Sequence, residues 1–231
     1  MSSTINFIDN WLCQVYLQVK ELIHLNSICI KLFTLIFILF YSCISIAEDQ
    51  PSWEVINEDN DILIYTKKLA NSPLIAVKAV STLDADMLKV VDIINNNQRF
   101  SEWVPRMMTA YTLENNSAYE WIEFILLDAP WPLKNREFIL KKTMTISDDK
   151  SYTKINFHSV DSSSMLPDKD NIRAIIYDGS FTITSISNNK SRIDIIAHAD
   201  LKGLIPDFVK NYLQKVWPLY TLRHLKKQVI K

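Results

Sequence analysis

Apolar and polar residues alternate with period two through much of the chain, and that pattern predicts strands. Two of them, over 61–69 and 74–83, are joined by the turn Ala70-Asn71-Ser72-Pro73. Met87, Leu88, Val90, Val91, Ile93 and Ile94 then switch to helical spacing, with Asp84 as candidate N-cap and Asn95-Asn96-Asn97 as the stop. A short helical piece carries Phe100 and Trp103 up to Pro105. Alternation resumes over 107–114, 118–127, 137–146, 152–160, 172–185 and 192–199, and polar turns such as Ser147-Asp148-Asp149-Lys150 make these strands antiparallel neighbours. From about Pro206 the residues Phe208, Val209, Tyr212, Leu213, Val216, Leu219 and Tyr220 recur at helical spacing, with a kink expected at Pro218. The order predicts an α+β architecture in which a curved antiparallel sheet grips a long C-terminal helix. Such a sheet encloses a cavity where sheet and helix do not fully meet.

The same alternation assigns faces. In 137–146, Phe138, Leu140, Lys142 and Met144 share the more apolar side, which puts a lysine on the inward face. In 118–127, Tyr119, Trp121, Glu123 and Ile125 alternate with Glu120, Ile122, Phe124 and Leu126, and either face can be the inner one. In 172–185 the inward set is Arg173, Ile175, Tyr177, Gly179, Phe181 and Ile183, whereas His198 falls on the solvent side of its strand. A buried cation is costly unless paired or hydrated. Lys142 is therefore either one half of a salt bridge near a rim or a polar contact in a mostly apolar ligand cavity. The stretch DAPWPLKNREFIL (128–140) raises a similar choice, because its Arg136-Glu137 pair suits an acid/base site, a clamp at a strand start, or the mouth of a cavity.

Residues 32–47, LFTLIFILFYSCISIA, form an apolar run after Lys31, a little shorter than the roughly 20 residues of a spanning helix. Ser45-Ile46-Ala47 supplies the small residues that a signal peptidase needs. Export with cleavage after Ala47 is the expectation, leaving residues 48–231 as a periplasmic or secreted domain. The alternative is an uncleaved membrane anchor over 27–47.

Composition narrows the chemistry. The 25 Lys and Arg nearly balance 26 Asp and Glu, so no basic surface for nucleic acid is expected. Gly179 and Gly203 are the only glycines, too few and too far apart for GxGxxG or a P-loop. Cys13, Cys29 and Cys43 all precede residue 48, which excludes a disulfide, a thiolate metal site or a cysteine nucleophile from the domain that follows. His24, His158, His198 and His224 show no HExxH-like spacing. No metal and no cofactor is expected.

Several stretches, in order, resemble the START (StAR-related lipid transfer) domain family. They are Trp53 with Asp61-Ile62-Leu63-Ile64-Tyr65, the segment RFSEW from Arg99 to Trp103, PWPLKNRE from Pro130 to Glu137, Ile172-Arg173-Ala174, and DLKGLIP from Asp200 to Pro206. The last is the most specific, and the resemblance spans about residues 52–228, in a form similar to exported bacterial members. It implies a helix-grip fold with a hydrophobic tunnel around one lipid or sterol, capped by the C-terminal helix. It also implies a charged pair inside the cavity, at positions held here by Glu123 and Lys142, although the family's base is usually arginine. Glu137 is a second departure, since the family usually has Asp there.

On this reading the ligand contacts are Glu123, Lys142, Trp103, Tyr119, Trp121, Arg173, Tyr177, Phe208 and Tyr212, with Arg136 and Glu137 as a structural ion pair. Leu204, Ile205 and Phe208 are candidates for touching a membrane. The expected protein is a monomer that binds a lipid or sterol-like ligand, meets membranes transiently and performs no reaction. The wider helix-grip superfamily also holds polyketide cyclases and aromatases. An enzyme of that kind would draw its acid and base from Glu123, Lys142, His198 and Tyr119. A membrane-tethered interaction module is the third possibility.

Overall fold

The alternating segments pair as one antiparallel sheet. The computed structural model describes residues 52–231 apart from 71, 162–164 and 166–167, together with residue 20. The leader or anchor expected over 27–47 lies outside the described residues. The strands are β1 (Glu54–Asp59), β2 (Ile62–Leu69), β3 (Ser72–Leu83), β4 (Met107–Ser117), β5 (Glu120–Leu127), β6 (Asn135–Ile146), β7 (Tyr152–Ser159), β8 (Asn171–Arg173), β9 (Ile175–Ser187) and β10 (Lys190–Asp200). Their order is β1-β2-β3-β10-β9-β7-β6-β5-β4, with the short β8 laid parallel against the start of β6. The helices are α1 (Met87–Asn95), a 3-10 turn at Asn97–Arg99 running into α2 (Phe100–Trp103), and α3 (Asp207–Val229). This is the α+β helix-grip arrangement that the patterning predicts. Among the described residues no helix is long and apolar enough to cross a membrane.

Four details differ from the sequence reading. Asp86, not Asp84, caps α1: its carboxylate accepts from the Lys89 amide at 3.0 Å, the three-residue reach that N-capping requires. β1, with the polar sequence EVINED and largely exposed, has no hydrophobic alternation to reveal it. The expected strand 172–185 is broken at Ala174 into β8 and β9, because its start follows β6 while the rest crosses to β7 and β10. Finally, α3 buries Gln214, Pro218, Leu222, Leu225 and Val229, whereas Phe208 and Tyr212 stay exposed.

The last three turns of α3 fill the grip of the sheet. Leu219, Leu222, Leu225 and Val229 join the core with Ile62, Val77, Ile93 and Trp103. Arg223 pairs with Asp59 and Gln228 Nε2 donates to the Glu102 carbonyl at 3.1 Å. The first turns are held differently, by polar groups. Asn211 Oδ1 accepts from the Ile75 amide at 3.2 Å, Gln214 Oε1 accepts from Ala199 at 3.3 Å, and Lys210 lies 3.1 Å from Asp200. Beneath this half of the helix the sheet is not filled.

Candidate functional site

A cavity of about 670 Å³ occupies that space, within the range typical of sites for small amphipathic ligands. Phe100 and Trp103 of α2, Phe157, Ile176, Phe181 and the alanines 197 and 199 of β10 form its walls, and Leu213, Val216 and Trp217 of α3 roof it. Phe100 and Phe181 both meet Trp103 edge-on, at 5.6 and 6.2 Å between ring centres. Gly179 makes room for one wall: a Cβ there would fall 2.2 Å from the Phe157 ring. The proline loop at 128–133 and the DLKGLIP turn border the mouth.

Strand β6 sets the polar chemistry. It pairs with β5 and β7 without a bulge, so Arg136, Phe138, Leu140 and Lys142 share one face, and all four line the cavity. At the deep end Lys142 Nζ lies 2.5 Å from Glu123 Oε2 and 4.8 Å from the centre of the Phe100 ring. The other carboxylate oxygen of Glu123 accepts from Trp121 Nε1 at 3.0 Å. Both charges are almost fully enclosed, with 5% and 1% of the Lys142 and Glu123 side chains exposed. Glu123 stands behind Lys142, at the floor of a separate polar depression of about 230 Å³ that Asn95, Thr112, Asn115 and Ser117 line. The open question over β5 is thereby answered: Glu123, Ile125 and Leu127 share the inner face with Trp121.

At the mouth end the expected Arg136–Glu137 ion pair is not present. Successive residues of a strand point to opposite faces, so the two side chains diverge. Arg136 turns inward and gives Nε to the Leu201 carbonyl at 3.1 Å, Nη2 to Lys202 at 3.3 Å, and Nη1 to Lys134. Burial pushes its guanidinium pKa down. Glu137 turns outward and pairs with Arg173 at 2.9 Å. At the rim Arg106 pairs with Asp128: its side-chain Nε also donates to the Asp128 carbonyl at 3.0 Å, and the Asp128 amide donates to the Arg106 carbonyl at 2.9 Å.

The other expected contacts divide. Trp103 lines the cavity, and Trp121 acts one step back through Glu123. Arg173 is committed to Glu137 and to the Met165 carbonyl, away from the cavity. Tyr177 is turned out by a bulge: β10 skips it between His198 and Ala199, so Ile176 takes the inner place. Tyr177 instead stacks on His198, ring centres 4.8 Å apart. Burial lowers the His198 pKa, with Asp178 and Asp200 opposing the shift. Tyr119 sits in the turn before β5 and is exposed, and Phe208 and Tyr212 lie on the outer side of α3. The four acid/base candidates are therefore not assembled: Tyr119 and His198 are outside the cavity that Lys142 lines. Among the described residues no three His, Cys, Asp or Glu side chains gather as a metal would need. The roof residues Gln214 and Trp217 and the rim pair escaped the sequence reading, and Leu213 entered it only through the apolar stripe of the helix. The 213/217 spacing was available as a signal for the roof, but nothing local marks Arg106 as the partner of Asp128.

The model of the START domain family matches residues 44–228. Among solved structures the chain is similar to human STARD10, with TM-score 0.73, 19% identity, 83% of this chain and 78% of that one covered. It is similar to the lipid transfer and protein localization domain of human StarD13, with TM-score 0.70, 18% identity and coverages of 78% and 89%. A STAR-related lipid transfer protein fragment from Xanthomonas axonopodis gives 0.68, 22% identity, and coverages of 78% and 99%. At these identities the likeness is one of fold. No curated protein sequence matches the chain.

Proposed function

This chain belongs to the START domain family, and we propose that its cavity holds a single lipid or sterol-like molecule, which the protein carries or presents between membranes without altering it chemically. The observation that carries the reading is the 670 Å³ apolar cavity with one neutralised ion pair at its deep end. Each Å² of apolar ligand surface removed from water contributes about 25 cal/mol, and a wall of Phe, Trp, Ile and Leu collects that contribution without demanding a particular shape of head group. Lys142, backed by the Glu123 carboxylate, offers an ammonium to a hydroxyl or carbonyl reaching the end of the tunnel. With Tyr119 and His198 outside the cavity, the acid/base set that the enzyme reading drew on is not assembled beside a substrate.

Membrane contact fits the exposed apolar side chains at the mouth: Trp131, with 92% of its surface free, Leu204, fully exposed, and Phe208. Export ahead of this role agrees with the apolar run at 32–47 and its small-residue end at Ala47. The test is organic extraction and mass spectrometry of the protein purified after membranes are removed. One dominant lipid in near-stoichiometric amount is the expected result. An empty protein that also takes up no lipid from vesicles would sink the proposal.

A further inference from the structure

The charges around the cavity do not balance. Lys142 is matched by Glu123 and Arg106 by Asp128, and outside the cavity Arg173 is matched by Glu137, Lys202 by Asp200, and Lys210 by Asp200 and Asp207. No ion pair among the described residues includes Arg136. Arg136 is buried and is one of the residues lining the cavity, and its guanidinium meets three main-chain carbonyls, which are dipoles and carry no net charge. Those bonds use one N–H on each nitrogen. Five are available, so one remains on each terminal nitrogen for a further acceptor. A neutral ligand would leave this cation buried without a counter-charge, the arrangement that costs most in a low-dielectric site.

Resting on the lipid-binding reading, we infer that the natural ligand carries an anionic oxygen group, a carboxylate or a phosphate monoester, and that Arg136 anchors this group at the mouth end of the cavity. The carbonyls of Lys134, Leu201 and Lys202 hold the guanidinium in place before the ligand arrives, so little side-chain freedom is lost on binding. The apolar remainder of the ligand then runs along Phe138 and Leu140 towards Lys142, about 20 Å further down the strand. This fixes the ligand's direction: charged end at the mouth, uncharged end in the deep part.

The experiment compares oleate, oleyl phosphate and oleyl alcohol, three probes with the same chain, binding to the delipidated protein at low salt. One or both anionic probes should bind at least about tenfold more tightly than the alcohol, and their ranking separates a carboxylate ligand from a phosphate. Equal binding of all three overturns the inference and leaves the lipid-binding reading intact, whereas binding of none overturns both. Arg136→Gln should lose the preference for the anion while still binding the alcohol. A folded variant that keeps the preference overturns the assignment. Because Arg136 also ties down the turn at 201–202, the variant can fail to fold, and a measurement on the unaltered protein covers that case. The carboxyl carbon of bound [1-13C]oleate should stay ionised below about pH 4, as a neighbouring guanidinium requires. A bound carboxyl that titrates above the ordinary range, as burial without a cation would produce, overturns the inference.

Discussion

Lys142 and Arg136 lie on the same face of one regular strand, and the protein meets their charges by different means. Lys142 has a carboxylate 2.5 Å away, itself held by an indole N–H, so the deep end of the cavity is neutral and closed. Arg136 has only main-chain carbonyls from the segments on either side of the mouth. The difference shows that a cation on a cavity wall has no fixed meaning. One is half of a finished pair, and the other is held in position with its charge unspent.

Removing one side of the deep pair should break the comparison most severely. Glu123→Leu leaves the ammonium enclosed alone and is expected to cost about 3–5 kcal/mol in urea unfolding. Adding Lys142→Met should return stability to the parent's level or above, since an apolar pair of similar volume replaces both desolvated charges. A double variant as unstable as the single one would show that the pair is not the source of the effect.

Gly179→Ala sharpens the contrast from the packing side. The new methyl overlaps the Phe157 ring, which lies opposite Lys142 across β6 and β7. Stability should fall by about 1–3 kcal/mol, and the longest acyl chain retained should shorten because the ring moves into the deep end. Head-group preference, set at the mouth, should not change; mass spectra of the retained lipids read both.

The smallest expected effect is a pH dependence at the mouth. Burial alone would raise the Asp200 carboxyl, but bonds from the Lys202 amide and from the Lys202 and Lys210 ammonium groups bring it below the usual carboxylate range. A carboxyl whose pKa is lower folded than unfolded contributes stability that is complete above the unfolded value. That contribution is lost as the pH falls through the folded value. Melting temperature against pH should therefore decline below about pH 4 with a component that Asp200→Asn removes. An unchanged profile in the variant would assign the acid loss elsewhere.

The legible parts of this molecule are those where one strand keeps one register. Lys142 could be placed inside because β6 runs without interruption, so counting by twos from Phe138 works to its end. Tyr177 was misplaced because a bulge consumes one residue and reverses every assignment on its N-terminal side, and no residue type announces it. Adjacent Arg136 and Glu137 looked like a pair in one dimension, although the pleat sends them apart to Leu201 and Arg173, partners tens of residues away. On α3 the apolar stripe through Phe208 and Tyr212 misled for another reason. Its first turns cover a cavity and are held by Asn211 and Gln214, so hydrophobicity does not mark the buried side there.

The pairing of β3 with β10 has a consequence for how the molecule comes into being. Val77 lies opposite Ala197, about 120 residues later in the chain, so the first three strands wait for the last one before they join the sheet. Contacts of such long range place folding in the slow, millisecond-to-second class. Until β10 is inserted, β3 and β9 are both open edges able to capture other chains. Ala197 and Ala199, which close one wall of the cavity, sit on that final strand. A chain interrupted anywhere before residue 190 therefore has no container at all, only two sticky half-sheets, and emptiness for a ligand is the last property this protein acquires.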